Sequence, residues 1–181
     1  MRIFFVSDIH GSLSALEAVL TVYHREDCSL IAVLGDLMYH GPRNPLPDGY
    51  EPAEVASLIN RYKDRIIAVR GNCDSEVDQM LVEYPMMETY AQIHDGKRRI
   101  FLSHGHVFGP EKLPVLSEGD IFAFGHTHIP LAEKRGAFFL FNPGSPSLPK
   151  NGNPPSYGIY DGETLCVKTM EGQIILEIDC K

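Results

Sequence analysis

No apolar run in this 181-residue chain approaches the ~20 residues needed to cross a bilayer. The opening MRIFFVSDIHG places only four apolar residues, Ile3 to Val6, before Ser7 and Asp8, too few for the core of a signal peptide. A cytoplasmic location with no membrane partner is therefore expected. The four cysteines (Cys28, Cys73, Cys166 and Cys180) form no CxxC pair and no zinc-knuckle spacing, which argues against a disulfide framework. Basic residues are also short: 16 Lys and Arg against 24 Asp and Glu, a formal charge of −8, give no global field for nucleic acid. A small anion remains admissible, because bound metal ions can reverse the sign within one cleft. Repeats, linkers and low-complexity tails are absent, and the length suits one domain, residues 1–181.

What is present is a series of short apolar runs. RIFFVS (2–7), LIAVLG (30–35) and RIIAVR (65–70) read as buried strands. Between them, SLSALEAVLTVYH (12–24) and AEVASLINRYKDR (53–65) carry helical spacing, with Ser12 or Ser14 available to cap the first. The order βαβαβ implies parallel strands with helices outside them. The Pro- and Gly-rich segment 39–52 is a loop. Further on, 89–103 predicts two strands around Asp95-Gly96, and the loop 106–119 leads to DIFAFG (120–125). A hairpin over 130–141 turns near Arg135-Gly136, and a meander follows over 156–179. The expected whole is α/β, a parallel core with an antiparallel extension, whose meander strands also offer a route to a homo-oligomer.

The ends of these runs carry the chemistry. RIFFVS is followed by Asp8-Ile9-His10, LIAVLG by Asp36, RIIAVRG by Asn72-Cys73-Asp74, RRIFLS by His104, and DIFAFG by His126-Thr127-His128. Carboxyl ends of parallel strands share one rim, where ligands bind. The inventory of two carboxylates, one amide oxygen and four imidazoles suits Mn²⁺, Zn²⁺, Fe²⁺, Ni²⁺ or Co²⁺, with Mn²⁺ leading, rather than Ca²⁺ or Mg²⁺ alone. Seven side chains exceed the needs of one open metal site but suit two ions bridged by Asp36. Extended backbone would aim both members of the D-x-H and H-x-H pairs to one side. Gly35, Gly71, Gly105 and Gly125 would let the chain turn close to the ions. Singly, a helix cap is the better reading of Asp8 and a polar turn as good a reading of GHTH; capping does not explain four histidines at strand ends.

The set DIH, GD, GNCD, SHG and GHTH, with GPRN (41–44) and NPGS (142–145), resembles the calcineurin-like metallophosphoesterase superfamily, in particular the compact YfcE-like bacterial phosphodiesterases. The resemblance implies a four-layer αββα sandwich of two mixed β-sheets flanked by helices. It also implies one metal on Asp8, His10, Asp36 and His128, and a second on Asp36, Asn72, His104 and His126. Phosphodiester hydrolysis by a metal-bridging hydroxide is the expected reaction, with Asp36, Asn72 and His104 at its centre. A phosphomonoesterase with the same site, or a non-catalytic protein-binding scaffold such as the retromer subunit of this fold, is the alternative. Cys73 departs from the pattern, since many relatives carry His there to protonate the leaving group. A thiol could donate in principle, and a small filler is the competing reading. Arg43 is a candidate for a phosphate oxygen against the default of a solvated loop residue. His24, His94 and His106 are read as outside the ligand set, with Asn142, Gly144 and Ser145 as a turn beneath it.

Overall fold

The alternation of apolar residues along the first strand decides the layering. In a computed structural model describing all 181 residues, β1 (Ile3–Val6) sends Phe4 and Val6 to one side and Ile3 and Phe5 to the other. Both sides are buried because β1 is central in a six-stranded sheet. On the Phe4 side lie α1 (Leu13–Glu26) and α2 (Pro52–Ile59), contributing Leu16, Val19, Tyr23, Val55 and Ile59. Ser12 caps α1 by accepting from the Ala15 N–H at 3.2 Å. Pro52 opens α2 at a position where its missing N–H costs nothing. The helix expected over 53–65 is shorter than that: it gives way at Asn60 to a 3-10 segment reaching Arg65.

The six-stranded sheet continues with β2 (Leu30–Val33) and β3 (Ile66–Ala68), which are parallel to β1. Its other half is the antiparallel meander β9 (Ser156–Tyr160), β10 (Thr164–Thr169) and β11 (Ile174–Asp179), with β9 paired to β1. A one-turn helix α3 (Glu76–Gln79), absent from the sequence reading, follows β3. A second, five-stranded sheet holds β4 (Tyr90–His94), β5 (Arg99–Ser103), β6 (Ile121–Ala123), β7 (Leu131–Arg135) and β8 (Phe138–Asn142), in the order β4-β5-β6-β8-β7. Within it β5, β6 and β8 are mutually parallel.

The expected α/β architecture of two mixed sheets is therefore present, but the strand ends that carry the polar motifs divide between the sheets. The sheets meet face to face through Ile3, Phe5, Ala32 and Leu34 against Ile100, Leu102, Ile121 and Phe141. The outer face of the second sheet, Phe101, Phe122 and Leu140, packs against Phe108, Leu113 and Leu116 of the 106–119 segment rather than against a helix. No helix is long and apolar enough to cross a membrane.

Candidate metal centre

Both sheets direct the carboxyl ends of their parallel strands to the same edge of the sandwich. The loops after β1 and β2 run side by side: the Asp8 N–H donates to the Gly35 carbonyl (3.0 Å), and the His10 N–H to that of Asp36 (2.9 Å). After β5 and β6 the Gly125 N–H donates to the His104 carbonyl at 2.7 Å. Hydrogen bonds fasten one sheet's loops to the other's. His104 Nδ1 donates to the Leu34 carbonyl (2.7 Å), and the His126 N–H donates to Asp8 Oδ2 (2.9 Å). The turn anticipated at Asn142 and Ser145 lies beneath, with Asn142 Nδ2 donating to the Gly125 carbonyl and Ser145 Oγ to that of Asp8.

How the D-x-H and H-x-H pairs converge differs from the expectation of extended backbone. Asp8, His10, Asp36, His126 and His128 all have positive φ, between 52° and 66°. The other non-glycine residues in that region are Asp27, the C-cap of α1, and Asn151 in a turn. Left-handed backbone costs an L-residue roughly 1–2 kcal/mol, so five of the seven donors are held in strain that the surrounding hydrogen bonds sustain. Strain gathered in this way marks a functional site.

The glycines make room for this crowding. A Cβ on Gly71 would lie 2.0 Å from Asp36 Oδ1, and one on Gly125 would lie 1.9 Å from Ser7 Oγ. Asp74, whose part the sequence reading did not assign, fixes the same corner. Its buried carboxylate accepts from the N–H groups of Asp36 (2.8 Å), Leu37 (2.9 Å) and Gly71 (2.7 Å), so it locks the loops after β2 and β3 together.

The side chains then form a ring of acceptors. His10 Nδ1 donates to the Tyr39 carbonyl (2.8 Å), His104 Nδ1 to that of Leu34 (2.7 Å), and His128 Nδ1 to that of Leu148 (2.6 Å). With Nδ1 so engaged, each ring turns Nε2 inward, the orientation that outer hydrogen bonds give to metal-binding histidines. Asp8 Oδ1 lies 3.2 Å from His128 Nε2 and 3.6 Å from His10 Nε2, while the two Nε2 atoms stand 3.2 Å apart. Asp36 Oδ2 lies 3.7 Å from His10 Nε2 and 3.4 Å from His104 Nε2; Asn72 Oδ1 lies 3.1 Å from the latter.

These atoms cannot satisfy one another as neutral rings, and Asp8 Oδ1 is fully buried with no hydrogen-bond partner. Protons or cations must fill the deficit. Burial works against a charged His104, yet the Asp8 and Asp36 carboxylates overcome it and lift the imidazole to about 9. Burial likewise opposes a charged Asp8, but His104, His10 and His128 hold its carboxyl well below the usual range. The donor set thus fits divalent cations. Asp8, His10 and His128 form one compact triad, and Asp8, Asp36 and His104 another. His126 is less tightly gathered, its ring centroid 5.1 Å from that of His104.

A polar cleft of about 400 Å³ opens onto this ring, lined by Asp36, Asn72, His126 and His128 and by Arg43 and Lys150. Arg43, the sequence's candidate for a phosphate oxygen, lines this cleft. Lys150 joins it from the loop before β9, and nothing in the local sequence announced it. Cys73 also lines the cleft; its N–H donates to Asp36 Oδ1 at 2.8 Å. Burial, and next the Asp36 carboxylate, push the Cys73 thiol up to about 12. Cys28, Cys166 and Cys180 are buried, free and remote from it. His106 is half-buried with its ring 5.4 Å from that of His104, and His24 instead bonds the Tyr62 hydroxyl at 2.8 Å.

Known proteins share this fold. The chain is 52% identical over 176 residues to phosphodiesterase YfcE of Escherichia coli K12, covering 97% of this chain and 96% of that one. The solved structure of the phosphoesterase YfcE from E. coli superposes with a TM-score of 0.98 at 49% identity, each chain covered completely. Vps29 of Entamoeba histolytica, solved with Zn²⁺, shares the fold alone, at a TM-score of 0.64 and 21% identity with full coverage of both chains. A family model described as the calcineurin-like phosphoesterase superfamily domain matches residues 1–165. On that match, and on a relative half identical along nearly its whole length, the chain belongs to the calcineurin-like phosphoesterase superfamily.

Proposed function

We propose that residues 1–181 act as one domain, a metal-dependent phosphodiesterase with a dinuclear centre, Mn²⁺ being the favoured ion. The observation that carries this is the ring of acceptors at the shared rim, where three Nε2 lone pairs and two carboxylates face one another. Asp8, His10, Asp36 and His128 would hold one cation, and Asp36, Asn72, His104 and His126 the other. Asp36 would serve both, since Oδ2 lies within 4 Å of a histidine from each set. When bound, the two cations supply Lewis acidity, which makes water a nucleophile at neutral pH and neutralises charge gathering on the phosphoryl oxygens.

The chain's own groups do the rest. The Nδ1 bonds to Tyr39, Leu34 and Leu148 fix the rings, so the donors need no reorganisation during the reaction. Arg43 and Lys150 face the cleft and would hold the substrate's outer phosphoryl oxygens. Two dications held against the Asp8 and Asp36 carboxylates would leave the site net positive, so an otherwise acidic protein would accept a phosphate ester there.

The test is reconstitution of metal-stripped protein with Mn²⁺ against an aryl phosphate and a bis-aryl phosphate. The diester is expected to turn over faster. Faster monoester hydrolysis would assign a phosphomonoesterase, and failure of Mn²⁺ to restore either activity, with a protein partner still captured, would assign a scaffold.

Cys73 gives a sharper prediction. Burial holds the proton on the Cys73 thiol and a thiol is a poorer general acid than an imidazolium, so esters with good leaving groups are favoured. Cys73→His is expected to raise kcat/KM for alkyl leaving groups by about 100-fold, the lower end of what general acids contribute. For 4-nitrophenyl esters it should change little. A uniform effect across a leaving-group series would remove position 73 from proton transfer.

A further inference from the structure

Beside the polar cleft lies a second cavity of different character. It measures about 440 Å³, and seven of the ten residues around it are hydrophobic, Met38, Tyr39, Tyr50, Val77 and Leu81 among them. Cys73 lines both cavities. Its thiol sits where the 37–51 loop crosses, close enough that a Cβ on Gly41 would come within 2.9 Å of the sulfur. The polar cleft, by contrast, has one hydrophobic residue in ten.

The groove is apolar where solvent would favour charge. Tyr39, Val77 and Leu81 are 42%, 65% and 47% exposed. No lysine, arginine or histidine lines it. Its one carboxylate, Asp78, is turned back into the cap of α3, accepting from the Ser75 N–H (2.8 Å) and hydroxyl (3.1 Å). A second phosphate would therefore meet an acidic group and no cation. An aromatic or aliphatic group would meet two tyrosine rings and branched side chains.

Building on the phosphodiesterase reading, we propose that this groove is a specificity subsite for one organic arm of the diester, selecting an uncharged apolar or aromatic group while the phosphoryl group lies across Cys73 in the polar cleft. Adjacency at Cys73, the wall residue shared by the two cavities, is what assigns the groove to substrate rather than to a second copy of the chain.

The test uses phosphonates, whose C–P bond resists hydrolysis, bound to Mn²⁺-loaded protein and followed by titration calorimetry. Methyl-, butyl- and 1-naphthylmethylphosphonate share one headgroup and differ in the arm, and 2-carboxyethylphosphonate carries a charged arm. The Kd of the naphthylmethyl compound is expected at least about tenfold below that of methylphosphonate, as burial of one ring requires. The carboxyethyl compound should bind no tighter than methyl. In the double variant Val77→Ser/Leu81→Ser, at two exposed positions, the naphthyl advantage should vanish while methylphosphonate binds as before.

Equal affinities along the wild-type ladder, or a ladder that survives in the variant, would overturn the proposal. If the variant does not fold, the wild-type ladder alone decides. A flat ladder with a dimer that the variant dissociates in sedimentation would give the face to a second copy. Wild-type protein that shows the ladder yet hydrolyses no phosphodiester would keep the subsite and overturn the reaction.

Discussion

Asp36→Asn is expected to lower kcat/KM for bis(4-nitrophenyl) phosphate by about 10³-fold or more at saturating Mn²⁺. The estimate follows from losing several kcal/mol of charge stabilisation at about 1.4 kcal/mol per decade of rate. The substitution is nearly isosteric, and an amide oxygen can still accept the Cys73 N–H that Oδ1 accepts at 2.8 Å. What changes is the charge on Oδ2, which stands 3.7 Å from His10 Nε2 and 3.4 Å from His104 Nε2. Because it serves both halves of the ring, its loss should also lower the bound Mn²⁺ from two ions to one or none by equilibrium dialysis. A melting temperature near that of the wild type would show that the fold is intact. Activity within tenfold of wild type, with two ions bound, would mean that Asp36 is not the bridge.

Gly71→Ala is expected to be nearly as damaging although it removes no ligand. The added methyl carbon would sit 2.0 Å from Asp36 Oδ1 and 2.3 Å from the Asp36 nitrogen. Neither atom can step aside cheaply, because Asp74 holds the Asp36 and Gly71 N–H groups on one carboxylate oxygen. Overpacking of this kind costs about 1–3 kcal/mol of stability. A displacement of the bridging carboxylate by even ~1 Å costs about 100-fold in rate. Gly152→Ala separates the two effects. Its φ of +73° makes alanine strained, yet nothing lies within 4 Å of the added carbon. It should lower the melting temperature with kcat unchanged. If Gly71→Ala behaved the same way, the tight packing of the β2 and β3 loops would not be what places Asp36.

The two effects share a cause that the sequence reveals only in part. Short apolar runs ending in Ser or Gly and then a ligand type were readable, because strand period and strand-end geometry are local properties. So were the caps and turns: Ser12, Asp95-Gly96 and Arg135-Gly136 behave as their side chains dictate. The division of the rim between two sheets was not readable from periodicity, since β5 and β6 look alike whichever neighbour they pair with. Nor was the left-handed backbone at Asp8, His10, Asp36, His126 and His128. Asp and His enter positive φ more readily than most residues, but nothing local marks which of them do so here; the hydrogen bonds that impose it come from distant segments. Asp74 and Lys150 escaped for the same reason. Their partners lie across the fold, at Asp36 and Leu37 for one and in the cleft wall for the other.

Diffraction from crystals grown with Mn²⁺, with anomalous differences collected at the manganese edge, tests the dinuclear centre without passing through activity. Two peaks are expected on either side of the Asp36 carboxylate, one among Asp8, His10 and His128 and the other among Asn72, His104 and His126. A single peak that leaves Asn72, His104 and His126 without a cation, or manganese bound only elsewhere on the surface, would contradict the account.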